Sequence, residues 1–137
     1  MPKPSRSRRV RSFVILLLLG IPAFAAYLHW PQPPLQMCRA VDGDTIRCGD
    51  QRVRLAGLDA PELRGRCDEE RHLAQVATER LRVLIVNGVT LRPAGRDRYD
   101  RLLAVVLDSS GNDVAYTLIR EGLAHEYHGR GRRAGWC

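Results

Sequence analysis

Lysine is all but missing from this chain: Lys3 is the single example in 137 residues, and every later basic residue is arginine. Beyond that position, recognition of an anion by a flexible ammonium point charge is excluded. Any phosphate contact falls to planar guanidinium forks that can grip two oxygens at once. The chain also lacks a C-x-x-C pair and histidines at finger spacing, which excludes a zinc finger. It has no internal repeat, so a stacked-repeat architecture is excluded too. Finally, no charge interrupts the run from Phe13 to Leu28.

That uncharged run follows Lys3, Arg6, Arg8, Arg9 and Arg11, and it marks residues 1–28 as an N-terminal signal peptide or membrane anchor. Ala23-Phe24-Ala25 after Pro22 supplies the small-residue pattern for cleavage after Ala25. An uncleaved anchor is the rival, because the run falls just short of the roughly 17 to 25 residues that span a bilayer. With the basic start held on the cytoplasmic side, both readings export the remainder: secreted, periplasmic, or tethered at the inner membrane with the domain outside the cytoplasm. Residues 29–37, containing Pro31, Pro33 and Pro34, form a stiff spacer. Residues 38–137 are then one folded domain, expected to be a monomer. Without the leader's five cations, 17 basic residues face 15 acidic ones, so net charge alone says little about a polyanionic partner.

Four cysteines in an exported stretch of this size suggest disulfides, with three possible pairings. Cys38 and Cys48 stand symmetrically about the Asp42-Gly43 turn of an expected hairpin, which pairs them and leaves Cys67 with Cys137. Strands are expected over Leu35–Val41, Asp44–Cys48, Arg52–Leu58, Val89–Arg92 and Arg101–Leu107. Helical spacing of Leu73, Val76, Ala77, Leu81, Leu84 and Ile85 predicts a helix over Glu69–Val86, with Asp68 as N-cap and Asn87-Gly88 as the stop. A second helix is expected over Asp113–Glu121, ended by Gly122. The fold class is α+β, mainly β: a short five-stranded barrel with two helices packed against it.

Three polar groups interrupt this frame. Asp42-Gly43-Asp44-Thr45 alone is an ordinary hairpin turn. Arg54-Leu55-Ala56-Gly57-Leu58-Asp59-Ala60-Pro61-Glu62 sets an arginine, two carboxylates and a proline around the end of an apolar strand. Strict alternation puts Arg54 and Asp59 on opposite faces, and Gly57 is where a bulge can restore them to one. Asp97-Arg98-Tyr99-Asp100-Arg101 alone is a solvated charged loop. Taken in order, D-G-D-T, R-L-x-G-L-D-A-P-E, D-R-Y-x-R and a later E-G-L-A resemble the staphylococcal nuclease family over nearly all of residues 38–127.

That resemblance implies an OB-fold and hydrolysis of DNA and RNA to 3′-phosphate ends with a calcium ion. It implies Asp44, Asp59 and the Ala60 carbonyl as metal ligands, and Arg54 and Arg101 as the arginines that hold the scissile phosphate. Glu62 corresponds to the general base and Tyr99 to the tyrosine beside the bound phosphate. Two departures stand out. The third, C-terminal helix is absent or truncated, leaving the Cys67–Cys137 bridge as its substitute, and Asp100 brings a negative charge where glycine is common. Arg130, Arg132 and Arg133 either extend a phosphate track or form a basic mobile tail. The alternatives are a non-catalytic nucleic-acid-binding module of the OB-fold type and a membrane-tethered assembly protein with a vestigial site. Both leave the acidic cluster unexplained, since a polyanion docks poorly on carboxylates.

Overall fold

The Asp42-Gly43 turn folds two strands together, β1 (Cys38–Asp42) and β2 (Thr45–Cys48), in an antiparallel register that pairs Cys38 with Cys48. A disulfide joins those two cysteines. The structure is a computed structural model and describes residues 34–137; the expected signal or anchor lies outside the described residues. β3 (Gln51–Leu55) extends the meander, then a glycine turn at Gly57, φ 83°, sends the chain into the two-residue β4 (Leu58–Asp59). The single strand expected over Arg52–Leu58 is therefore two, because that left-handed backbone breaks the ladder.

Helix α1 (Asp68–Ile85) follows, burying Ala74, Ala77, Thr78, Leu81 and Ile85. Its N-cap is Cys67 rather than the expected Asp68, which lies one residue inside the first turn with Glu69 and Glu70, where acids favour the helix dipole. β5 (Val89–Arg96) and β6 (Leu102–Asp108) pair antiparallel. β5 runs past Pro93, where the sequence signal stops it: it is an edge strand and the register shifts between Pro93 and Gly95, so a missing N–H is tolerated. Helix α2 (Val114–Arg120) is capped by the Asp113 side chain, which accepts from Tyr116 N, and β7 (His125–Glu126) pairs with β4.

The main sheet has the order β1-β2-β3-β6-β5, with β3 and β6 parallel. Among the described residues its edges meet only at the Gln36–Val89 bridge. The expected barrel is thus a curled five-stranded sheet that is not closed by a continuous ladder. The inward side chains Ile46, Val53, Leu55, Leu81, Ile85, Val89, Val106, Val114 and Leu118 form one buried core. No helix follows β7; residues 127–137 run as irregular chain to Cys137, which is bonded to Cys67.

Gly43 has a role the turn signal does not reveal. Its φ is not positive; a Cβ there would come within 2.9 Å of Ala60 Cβ and 3.1 Å of Ala77 Cβ. Close approach, not backbone freedom, requires glycine, and the turn is thereby seated on Ala60 and α1. Gly43→Ala is expected to cost about 1–3 kcal/mol through overpacking, read as a lower urea midpoint at unchanged slope.

Candidate active site

Arg54 leaves β3 on the face opposite the buried Val53 and Leu55. Its guanidinium forms an ion pair through Nη1 with Asp44, just before β2, while Nη2 lies 3.7 Å from Asp59 Oδ1 and 3.4 Å from the Leu58 carbonyl. The glycine turn achieves this: by ending β3 it cancels the alternation that would have sent Arg54 and Asp59 to opposite faces. Both side chains of the Arg54–Asp44 pair are largely buried, at 12% and 13% exposure, so their attraction is weakly screened.

Arg101 enters from the start of β6. Its Nε donates to Asp97 at 2.7 Å, and Nη1 donates to the Thr45 hydroxyl at 3.3 Å. Thr45 in turn donates to Asp44 at 2.8 Å, which ties the second arginine to the first. Burial alone would raise the Asp97 carboxyl, but hydrogen bonds from the amides of Arg101 and Tyr99 and from the Arg101 side chain outweigh it and hold it below the ordinary range. Tyr99 is exposed, with the Arg101 guanidinium 5.5 Å from its ring centre. Asp100 takes a left-handed φ of 59°, a conformation glycine adopts freely, and its carboxylate turns to Arg96 at 3.2 Å. The expected extra charge is therefore partnered by Arg96, which lines the cleft of Arg54 and Arg101.

Asp59 and Ala60 are buried, whereas Glu62 is exposed on the loop after β4. Glu70 holds that loop from inside: its carboxylate accepts the amides of Arg66 at 2.8 Å and Glu62 at 3.4 Å, and Gly65 packs so close that a Cβ there would come 2.4 Å from the Glu70 side chain. Burial lifts the Asp59 carboxyl above its ordinary value. Arg133 and Arg54 pull it down, and Asp44 and Glu62 add to the rise. Asp59 Oδ1 lies 3.2 Å from Arg133 Nη1, yet it has no hydrogen-bond partner among the described residues. The charges are close, but no guanidinium N–H is aligned with that oxygen.

Arg133, which the sequence leaves between a phosphate track and a basic mobile tail, lies against the candidate site. It contacts Asp59 and, at 3.7 Å, Glu62, and its guanidinium lies 5.5 Å from the Tyr127 ring centre. Trp136 stacks on His125 with ring centres 3.9 Å apart, which lays the tail across the site. A signal was present: Cys137 closes on Cys67, and those cysteines bring the Arg133 segment back beside the Glu62 loop. As a result the expected residues fall into two clefts. One, of about 610 Å³, is lined by Arg54, Tyr99, Arg101, Tyr127 and Arg133; the other, of about 490 Å³, by Asp59, Ala60, Glu62, Arg133 and Trp136. Arg133 lines both. Asp44 lines neither and joins the group through Arg54.

Among the described residues, the one trio of acidic, histidine and cysteine donors within 4.8 Å of one another is Cys67, Glu70 and Cys137. Its sulfurs are joined in a disulfide and offer no thiolate, so it is not a metal centre. The oxygens of Asp44, Asp59 and Glu62 are more widely spread.

A family model described as staphylococcal nuclease homologue matches residues 52–134. The succinoglycan biosynthesis protein ExoI of Rhizobium meliloti is 32% identical over 124 residues, covering 86% of this chain and 62% of its own length. An uncharacterized endonuclease of Haemophilus influenzae is 35% identical over 99 residues, 66% of this chain and 52% of its own. Endonuclease YhcR of Bacillus subtilis is 31% identical over 103 residues, 65% of this chain and 8% of its own. The chain thus spans less than two thirds of each of these relatives. The family match takes in Arg54, Asp59, Ala60, Glu62, Tyr99, Arg101 and Arg133 but begins after Asp44, whose membership of the site rests on its ion pair with Arg54.

Proposed function

This chain belongs to the staphylococcal nuclease homologues, and from that membership we propose that it is an exported, calcium-dependent nuclease that hydrolyses phosphodiester bonds of DNA and RNA to 3′-phosphate ends. The observation that carries this reading is the pairing of Arg54 with both Asp44 and Asp59 while Arg101 is keyed to Asp44 through Thr45. Two guanidiniums and two acids in one connected cluster suit a phosphodiester, an anion that repels nucleophiles until its charge is balanced. Two endonuclease-named relatives support the same reaction class, and two disulfides suit an oxidising compartment outside the cytoplasm.

The donor set is suited to calcium, a hard cation that takes oxygen ligands. Asp59 Oδ1 is a buried oxygen without a hydrogen bond among the described residues, and Asp44 and the Ala60 carbonyl are its proposed companions. When bound, such an ion supplies positive charge at the phosphate and acidifies a coordinated water. Arg133 contacts Asp59 and Glu62, so the tail competes with the ion for Asp59 and with the attacking water for Glu62.

In the proposed reaction Glu62 takes a proton from the attacking water, whose oxygen forms a bond to phosphorus as the bond to the 5′ oxygen breaks. Arg54 and Arg101 hold the phosphate oxygens as charge builds on them. An arginine does not give up its proton near neutral pH, so the departing 5′ oxygen is protonated from solvent.

The test uses the full chain with plasmid and single-stranded DNA, in calcium or in chelator, beside Glu62→Gln and Arg101→Ala. Cleavage abolished by chelation supports the reading; indifference to chelation removes the metal. Binding without cleavage under any ion favours the non-catalytic module instead. Glu62→Gln is expected to lower turnover by about 10²-fold while leaving KM within a few fold, as loss of a general base requires. Equal losses in both would contradict the assignment.

A further inference from the structure

Arg39, Arg47 and Arg52 stand in one row across the first three strands. Arg39 is directly opposite Arg47, and Arg47 directly opposite Arg52. Directly opposed residues share a face with Cβ atoms about 4.5–5.5 Å apart, and like charges placed so repel. Among the described residues none of the three is in an ion pair, although Arg71, Arg80, Arg82, Arg96 and Arg101 each have a carboxylate. Arg39 and Arg52 are exposed. Arg47 between them is half-buried, and its Nε has no hydrogen-bond partner among the described residues.

The row adjoins the candidate site. Arg52 and Arg54 are two residues apart on β3, as are Thr45 and Arg47 on β2, so both pairs share the face that carries Arg54 and the Thr45 hydroxyl. Their intervening neighbours, Ile46 and Val53, are fully buried on the other face. One two-residue step is about 6.6 Å and two inter-strand gaps about 10 Å, so the row is a short basic shelf next to the catalytic arginines.

We propose that Arg39, Arg47 and Arg52 form a phosphate track that holds the backbone of a nucleic-acid strand where it runs out of the cleavage site. The occupant follows from charge: three unpartnered forks in a line match a chain with a phosphate at every nucleotide, and the repulsion among them is relieved when that chain binds. The track rests on the nuclease reading for the kind of strand it guides, and it deepens that reading by setting the preference for long substrates over short ones.

The experiment measures binding by fluorescence anisotropy with the full chain in chelator over a salt series. The probes are a dinucleotide and a labelled single strand longer than the roughly 4 to 16 nucleotides that one such domain covers. For Arg39→Gln/Arg47→Gln/Arg52→Gln the expected result is at least about tenfold weaker binding of the long strand and a log–log salt slope smaller by about 2, with dinucleotide binding and Tm unchanged or raised. Arg39→Gln/Arg52→Gln spares the half-buried Arg47 and keeps the test open if the triple variant is unstable; its slope is expected to fall by about 1.4. Arg82→Gln/Arg120→Gln removes the same charge from the helices and is expected to change little. An unchanged slope in the row variants, or an equal loss in the helix control, overturns the track. So does row-dependent binding to phosphatidylserine vesicles when oligonucleotide binding ignores the row. If the parent chain never cleaves yet binds through the row, the nuclease reading fails and the track stands; cleavage with row-independent binding is the converse.

Discussion

Arg54→Ala is expected to abolish turnover and to remove about 3 kcal/mol of stability, because it strips Asp44 of its ion-pair partner and Asp59 of one of its two. Asp44 and Asp59 are only 13% and 5% exposed in their side chains, and the Arg54 guanidinium faces both. Asp59 keeps Arg133 at 3.2 Å, so the larger loss falls on Asp44, whose one ion pair among the described residues is with Arg54. Arg54→Lys separates the two roles. A lysine keeps the charge and with it part of the stability, but an ammonium cannot address Asp44, Asp59 and a phosphate with a rigid fork. Turnover is therefore expected to fall by about 10²–10³-fold in the lysine variant. Chemical denaturation and single-turnover cleavage read these effects apart. A lysine variant that cleaves at the parent rate would show that positive charge, not the fork, is what the reaction uses.

Loss of the Cys67–Cys137 bridge is expected to cost about 4 kcal/mol on the chain-entropy model, because it closes a loop with a sequence separation of 70. The Cys38–Cys48 bridge, with a separation of 10, is expected to contribute about 3 kcal/mol. Cys67→Ala/Cys137→Ala should then melt below Cys38→Ala/Cys48→Ala, and the reverse order would show that strain or residual unfolded structure outweighs loop entropy. A local effect accompanies the global one. The bridge tethers the segment that stacks Trp136 on His125 and sets Arg133 beside Asp59 and Glu62. Mild reductant should therefore change tryptophan fluorescence before the sheet unfolds. A calcium titration followed by calorimetry should show tighter binding once Arg133 has left the carboxylates. Fluorescence that moves only with global unfolding would mean the tail is held by packing rather than by its tether.

Both results depend on where the chain's arginines and acids sit, and here legibility in the sequence was uneven. The hairpin, its disulfide, the long helix and the Gly122 stop follow from local signals: symmetry about a turn, apolar spacing, and the left-handed φ of 73° at Gly122. The split of the third strand at Gly57 and the passage of β5 beyond Pro93 were less visible, because each depends on what lies beside the strand and not on the strand itself. The same holds for Gly43, whose turn signal hides its contact with Ala60 and Ala77.

By itself the sequence determined the set of chemical groups, an even count of cysteines with one pair set symmetrically about a hairpin turn, the mainly β class and the short apolar strands that carry the polar groups at their ends. Period and composition encode these directly, since each is set by residues within a few positions of one another or by a simple count. Only the tertiary structure decided that Cys67 meets Cys137, that Arg54 is shared by Asp44 and Asp59, that Arg133 lines both clefts, and that Arg39, Arg47 and Arg52 align. Those outcomes turn on strand register and on the path of the tail, where a shift of one residue moves a side chain to the opposite face, and no local pattern fixes contacts between segments so far apart along the chain.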